Sequence, residues 1–433
     1  DILEMFQTQN TLQGIGPTTS LNVVGDTMTG TTTLTTQWYS YVVVSGTLSV
    51  NGTTGNPATL VIQAGVRMSF ASGSGISVGS STSTPGILKV LGTSASPVTF
   101  TKSGASAWSG IMLYSGTVGA QTILQYAVLE YAGTGTSPTT AGLNIYASPT
   151  LENVTVRYSG PSGILVTTAS PTMTNVTVDQ GGGDGLSLNG GSGTTAPTIT
   201  QAIISNTDRY GIYVNGSNGA VGGTIQGSTI LTPVSYVIYI SQGAPTFLNN
   251  SINGSLFMTN LSGLPVFTDN TIRHFSTKTG RISIGVLQQL QTQNTLLDID
   301  PTTVLELNGA TVSTNTTLGF RWKIYNVVTG NITVSGTSPV TLTVNPGVTM
   351  QFAASSYLGV SDKGILRARG TSTEPILLTT LNPAPNNWRG IVFNGNAVAG
   401  ASLLEYVTVD QGCKQDAAIY GISTAFTMNH FTI

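Results

Sequence analysis

Short runs of alternating apolar and polar residues return along this chain at a steady interval. PTLENVTV starts at Pro149, PTMTNVTV at Pro171, PTITQAII at Pro197, PTFLNNSI at Pro245 and PVFTDNTI at Pro265. A second short apolar run follows: GILV from Gly163, GLSL from Gly185, GIYV from Gly211 and YVIYI from Tyr236. Period-two alternation bounded by Gly, Ser and Asn is the pattern of strands. The interval is roughly 20–26 residues, or about twice that where one unit lacks its proline. No segment carries 3.6-residue amphipathicity over three turns. The nearest, Val286 to Leu296, reads equally well as a short capping helix or as another strand.

A longer period lies over the short one. ILEMFQTQNTLQGIGPTTSL (Ile2 to Leu21) returns as VLQQLQTQNTLLDIDPTTVL (Val286 to Leu305). LVIQAGVRMSF from Leu60 returns as LTVNPGVTMQF from Leu342, and GILKVLGTSASPVTF from Gly86 as GILRARGTSTEPILL from Gly364. WSGIML at Trp108 matches WRGIVF at Trp388, and Trp38 matches Trp322, so the four tryptophans form two equivalent pairs. The chain is therefore expected to hold one copy over residues 1–284 and a second, incomplete copy over 285–433, a window on a longer tandem array. The closing TMNHFTI resembles TLENVTV of the first copy.

A unit of about 22 residues made of two or three short strands cannot bury its apolar side alone. Stacking solves this: each strand pairs in parallel with its counterpart one coil away, at ~4.8 Å. Val, Ile, Leu, Met and Phe then line one column, while Thr and Ser coat the outside, where branched side chains favour strand geometry. The ordered series WYSYVVVSGTLSV, LVIQAGVRMSF, GILKVLGTSASPVTF, WSGIML, ILQYAVLEY, PTLENVTV resembles right-handed parallel β-helix domains of the pectin-lyase-like type. That resemblance implies an all-β right-handed parallel β-helix (β-solenoid). For activity it leaves lyases, hydrolases, phage tailspikes, passenger domains, adhesins and structural filaments open, because function resides in sites and not in the fold.

Composition narrows the choice. Only 7% of the 433 residues are charged, against 39% hydrophobic and 53 glycines. Fifteen basic and seventeen acidic residues leave a net charge of −2, so no basic surface exists to neutralise a phosphate backbone, and nucleic acid is excluded as a partner. No stretch approaches the ~20 apolar residues that cross a bilayer as a helix. Cys413 is the single cysteine and forms no internal disulfide; with Lys414 alone beside it, the inert reading outweighs the reactive one.

Candidate chemistry is sparse. Polysaccharide-cleaving sites need paired carboxylates, or carboxylates around calcium with a basic neighbour. Here eleven Asp, six Glu and two histidines, His274 and His430, are scattered. Asp298 and Asp300 in DIDP are the closest acidic pair; copy one has Gly14 and Gly16 there. Asp179 and Asp184 bracket a Gly-rich corner in VDQGGGDG, echoed by Asp410 and Asp416 in VDQGCKQDA. Both pairs could offer two oxygens to Ca²⁺, far short of the six to eight it takes, and the solvated-loop or ordinary-corner reading is preferred. Of nine Asn-x-Ser/Thr sequons, Asn51 and Asn215 in loops are the glycosylation candidates. Asn153 and Asn175, in the shared NVTV context, are expected in an internal amide ladder. The tryptophans precede Gly-Ile-apolar runs and are expected to pack the coils rather than to stack on sugars.

The function expected from this reading is an extracellular or cell-surface structural or adhesive protein, without catalytic residues or cofactor. It would self-associate head-to-tail or in a tandem array into a rod, filament or surface layer. The alternative is a carbohydrate-binding or polysaccharide-cleaving module with polysaccharide or glycans as partner.

Overall fold

The computed structural model describes residues 18–134, 140–231, 236–261, 263–273, 280–299, 302–383, 387–398, 400–412, 417–422 and 424–433. Cys413, His274, Asp300 and Asp416 lie outside them. The chain divides into two compact units between Ile252 and Asn253.

In the first unit each coil contributes one strand to each of three parallel sheets, and two coils add a fourth short strand, Thr194–Thr195 pairing with Ala220–Val221. Face 1 begins with Ser20–Val24, Ser40–Ser45 and Arg67–Phe70 and runs on to Ile203–Ser205 and Thr229–Leu231. Face 2 runs from Thr27–Met28 and Thr47–Val50 to Asp184–Asn189, Ile212–Asn215 and Ile238–Gln242. Face 3 runs from Thr31–Leu34 and Ala58–Gln63 to Thr198–Thr200, Thr224–Gln226 and Thr246–Leu248. All these pairings are parallel, and the inward positions Leu60, Ile62, Val90, Leu124, Leu151, Val156, Val214 and Ile240 are fully buried. Each such side chain contributes roughly 1.5–3 kcal/mol.

The runs that look like one alternating strand are two. PTLENVTV breaks into Thr150–Glu152 and Thr155–Arg157, and PTMTNVTV into Thr172–Thr174 and Thr177–Asp179. The break is a single left-handed residue: Asn153 (φ 54°), Asn175 (53°), Gln201 (56°), Gly227 (60°) and Asn249 (53°) occupy it in successive coils. Asparagine tolerates this region because its short amide bonds locally. The coil lacking a proline uses Gly223 (φ 87°), where a side chain would meet the carbonyl of Pro197 at 2.3 Å.

In the second unit, Arg281–Ser283 leads into the helix Ile284–Thr292, capped by Ser283, whose Oγ accepts from the Gly285 N–H at 3.3 Å. Ile284, Val286, Leu287 and Leu290 bury one side of it. Its glutamines reach sheet backbone: Gln289 Oε1 accepts from Phe267 N–H at 2.7 Å, Gln288 Oε1 from Thr317 N–H at 2.9 Å, and Gln291 Nε2 donates to the Thr317 carbonyl at 2.9 Å. The segment readable as helix or strand is thus a helix followed by a separate strand, Thr295–Leu297.

Three faces then resume. They start at Val304–Asn308, Thr311–Val312 and Thr316–Leu318 and again pair with every third strand, to Ser402–Val409, Ile419–Gly421 and Phe426–Thr432. Strand by strand these ranges repeat those of the first copy: Ser40–Ser45 corresponds to Ile324–Thr329, and Gly86–Leu91 to Gly364–Arg369. The shared glycines have a steric cause. A Cβ on Gly86 would lie 2.1 Å from the Val50 carbonyl oxygen, and one on Gly364 the same 2.1 Å from that of Val334.

Candidate functional site

Polar side chains in this fold mostly bond from coil to coil. Asn175 Nδ2 donates to Asn153 Oδ1, so the expected ladder forms, but on the outer surface of the turn and not inside. An internal amide ladder does exist, at the residue after the left-handed position. In the first unit Asn250, 2% exposed, accepts from Ser228 N–H at 2.8 Å and donates to the Ile225 carbonyl at 2.9 Å. In the second, Asn270 donates to Asn294 Oδ1 at 2.8 Å, and Asn294 to the Phe267 carbonyl at 2.8 Å. NNSI, DNTI and QNTL carry these asparagines. The NVTV coils put valine at that register, which hid the ladder from a reading centred on Asn153.

The carboxylates follow the same rule. Asp179 accepts from Ser205 Oγ at 2.7 Å and Asn206 Nδ2 at 2.8 Å. Asp184 is fully buried and takes both Arg209 Nε at 2.6 Å and Nη2 at 2.5 Å, with Ser187 Oγ at 3.0 Å. These two calcium candidates therefore point their oxygens at different protein donors. Asp298 pairs with Arg273 at 3.6 Å, and Asp410 accepts from Thr379 at 3.0 Å. Among the described residues no three His, Cys, Asp or Glu side chains converge as a metal site. Among them, too, no helix is long and apolar enough to cross a membrane.

The sequon candidates sit at corners. Asn51 Oδ1 accepts from Ser80 N–H at 2.9 Å, and Asn215 Oδ1 from Ser217 N–H at 3.1 Å. The tryptophans Trp108, Trp322 and Trp388 are fully buried. Trp108 stacks on Phe70 at 4.3 Å and donates to the Glu130 carbonyl at 2.8 Å; Trp388 stacks on Phe352 at 4.4 Å and donates to the Asp410 carbonyl at 3.0 Å. His430 stacks on Tyr406 at 4.4 Å.

Two surface features remain. On face 2, Ser187, Tyr213 and Tyr239 occupy one outward register, with Asn189, Asn215 and Gln242 beside them in the next. Tyr210 stacks on Tyr239 at 4.6 Å; Tyr213 lies 5.6 Å from Tyr239, and Tyr236 6.3 Å from it. The Arg209 guanidinium sits over Tyr210 at 4.8 Å and Tyr213 at 5.2 Å. Its hydrogen bonds to Asp184 hold it above the usual arginine value, and burial raises Tyr210 and Tyr213 above theirs. The one-dimensional signal was present: GIYV and YVIYI carry tyrosine at equivalent places, but only stacking gathers them. In the second unit, an open groove of about 480 Å³ is lined by Asn345, Arg367, Arg369, Thr371 and Glu405. Arg369 Nε donates to Glu405 Oε2 at 3.0 Å.

Coils of three parallel strands, each pairing with its counterpart in the next coil, define a parallel β-helix, and strand–crossover–strand chirality makes it right-handed. Comparison with known families agrees. Residues 75–257 match the family described as right-handed beta helix region, and residues 310–415 match the pectate-lyase-like beta helix domain. Over those two stretches the chain carries the right-handed, pectate-lyase-like β-helix fold. No curated protein and no solved structure matches it.

Proposed function

We propose that this chain is the non-catalytic β-solenoid scaffold of an extracellular or cell-surface structural or adhesive protein. In this reading it assembles by stacking coil on coil, within a tandem array or head-to-tail between copies. The observation that carries the proposal is that the charged and amide side chains bond from one coil to the next: Asp179 to Ser205, Asp184 to Arg209 and Asn175 to Asn153, so these groups serve cohesion. Parallel strands stacked in this way extend coil by coil into a stiff column. Electron microscopy of the protein that carries this repeat tests it: rods or filaments are expected, and isolated globular particles at every concentration would overturn it.

A second reading, a polysaccharide-binding or polysaccharide-cleaving module, is favoured by the groove at Arg367 and Arg369, whose guanidinium groups could hold an acidic sugar. Release of unsaturated products from polyuronides, lost in Arg367→Ala, would establish it over the first.

A further inference from the structure

We infer that Asn394 is a self-modification site: in the folded chain its side chain closes onto the Gly395 nitrogen and converts to aspartate and isoaspartate ahead of every other Asn-Gly step. The inference is independent of the scaffold reading and of any ligand.

Seven Asn-Gly steps occur in the chain. Glycine leaves its backbone nitrogen open to the preceding side-chain amide carbon, because no Cβ stands beside it. Ring closure also needs that nitrogen released from any hydrogen bond and the carboxamide free to turn toward it. The coil stack denies the first condition at five steps. Gly52 N–H donates to the Pro85 carbonyl at 2.8 Å, Gly190 to Asn215 at 2.9 Å and Gly216 to Gln242 at 3.0 Å. Gly254 donates to Arg273 at 2.9 Å and Gly309 to Thr329 at 2.7 Å, so each of the five bonds into an adjacent coil. Carboxamides are held there too: Asn51 Oδ1 accepts from Ser80 N–H at 2.9 Å, Asn189 Oδ1 from Gly191 N–H at 3.1 Å and Asn308 Oδ1 from Thr329 Oγ1 at 2.9 Å.

The other two steps differ. Gly219 N–H bonds only within its own turn, to the Gly216 carbonyl at 3.3 Å, and Asn218 is exposed. At Asn394–Gly395 neither group is engaged. Both residues are exposed, and among the described residues the Gly395 N–H and the Asn394 carboxamide have no hydrogen-bond partner. Ala397 N–H closes a turn onto the Asn394 carbonyl at 3.0 Å, which puts Gly395 at the second position, outside the closing bond. The first copy closes the same turn from Thr117 N–H to the Tyr114 carbonyl at 2.9 Å, with Tyr114 and Ser115 in place of the pair. The coil therefore does not require Asn-Gly here.

The step balances with water alone. The Gly395 nitrogen loses its proton to solvent and bonds to Asn394 Cγ; the bond from Cγ to Nδ2 breaks, and the amide nitrogen takes up a proton and leaves as ammonia. Water then opens the resulting succinimide at one carbonyl to give aspartate, or at the other to give isoaspartate, whose backbone runs through the side chain. One water enters and one ammonia leaves. Each conversion adds a negative charge to a chain whose formal net charge is only −2.

The test incubates the full folded chain in mildly alkaline buffer made with heavy-oxygen water. Digestion in ordinary water at mildly acidic pH follows, and mass spectrometry reads label peptide by peptide. Label should enter at Asn394 first and at Asn218 second. The five coil-bonded steps should be slower than Asn394 by about tenfold or more, because their nitrogens must first leave a backbone hydrogen bond. In denaturant the seven rates should converge, which assigns the ranking to structure. Asn394→Tyr with Gly395→Ser, which installs the first copy's pair, should remove the earliest acidic band in isoelectric focusing with the far-ultraviolet spectrum unchanged. Equal uptake at all seven steps in the folded chain would overturn the inference. So would a coil-bonded step that leads, or a ranking that persists in denaturant.

Discussion

The two copies of the long repeat can be laid side by side from Ser40–Leu91 against Ile324–Arg369, and they differ almost only on the outside. Inward positions exchange like for like: Phe70 for Phe352, Val90 for Ala368, Leu124 for Leu404, all buried. Outward, Leu91 pairs in register with Gln125, whereas the corresponding pair of the second copy is Arg369 with Glu405. An apolar and an amide residue have been replaced together by an ion pair at 3.0 Å, and the groove of the second unit comes with it. The column fixes the fold, and the coating is free to acquire chemistry.

The largest effect that can break this comparison lies at the tryptophans. Trp108 is held between Phe70 at 4.3 Å and Phe100 at 6.5 Å, while Trp388 has Phe352 on one side and Leu378 in the place of Phe100. Replacing either by Ala should cost about 3–5 kcal/mol in chemical denaturation, with the larger loss at Trp108. Equal losses would show that the second aromatic neighbour adds nothing.

Next comes a titration. Tyr325 is fully buried, and burial pushes its pKa from 10.0 up to about 12, the hydrogen bond from Gly319 N–H acting the other way. The folded state holds this proton more tightly than the unfolded one. Its stabilisation is complete below pH 10 and drains away between pH 10 and 12, by about 2–3 kcal/mol. Tyr325→Phe should flatten the fall of unfolding free energy over that interval.

Smaller still, Gly86→Ala and Gly364→Ala should each cost about 1–3 kcal/mol, and by equal amounts, because both new methyls strike a carbonyl of the preceding coil. The smallest change tests the coating. Arg369→Leu with Glu405→Gln, which writes the first copy's pair into the second, should alter stability by less than ~1 kcal/mol, since the Arg369 side chain is 66% exposed. A larger loss would mean that the outer pair had become part of the fold.

Much of this was legible before any coordinates. Parallel stacking, the coil length and the burial of Trp108, Trp322 and Trp388 follow from alternation and self-similarity, because each is a local signal repeated many times; Trp38, the partner of Trp322 in the first copy, is only half-buried. The left-handed break inside PTLENVTV was not, since Asn153 continues the alternation without a gap and only its φ of 54° reveals the turn. Nor was the helix Ile284–Thr292 separable from a strand. Its buried face, Ile284, Val286, Leu287 and Leu290, is too short for the helical period to outweigh the surrounding strand pattern. The tyrosine cluster escaped for another reason: Tyr213 and Tyr239 are neighbours only through strand register, and that register is set by stacking. The Asp184–Arg209 pair was hidden likewise, since the two residues share no motif.

The corner at Gly86 and Gly364 has a practical side. It stays fixed while the segment before it changes length, from residues 79–85 in the first copy to 361–363 in the second. Nature has already edited that stretch without disturbing the strands on either side, Gly75–Val78 and Gly86–Leu91. A foreign peptide, an epitope or a fluorophore-bearing tag spliced in at Ser81–Thr84 should therefore ride on the surface as a passenger, giving an attachment point for labelling or display that leaves the spring of the molecule wound.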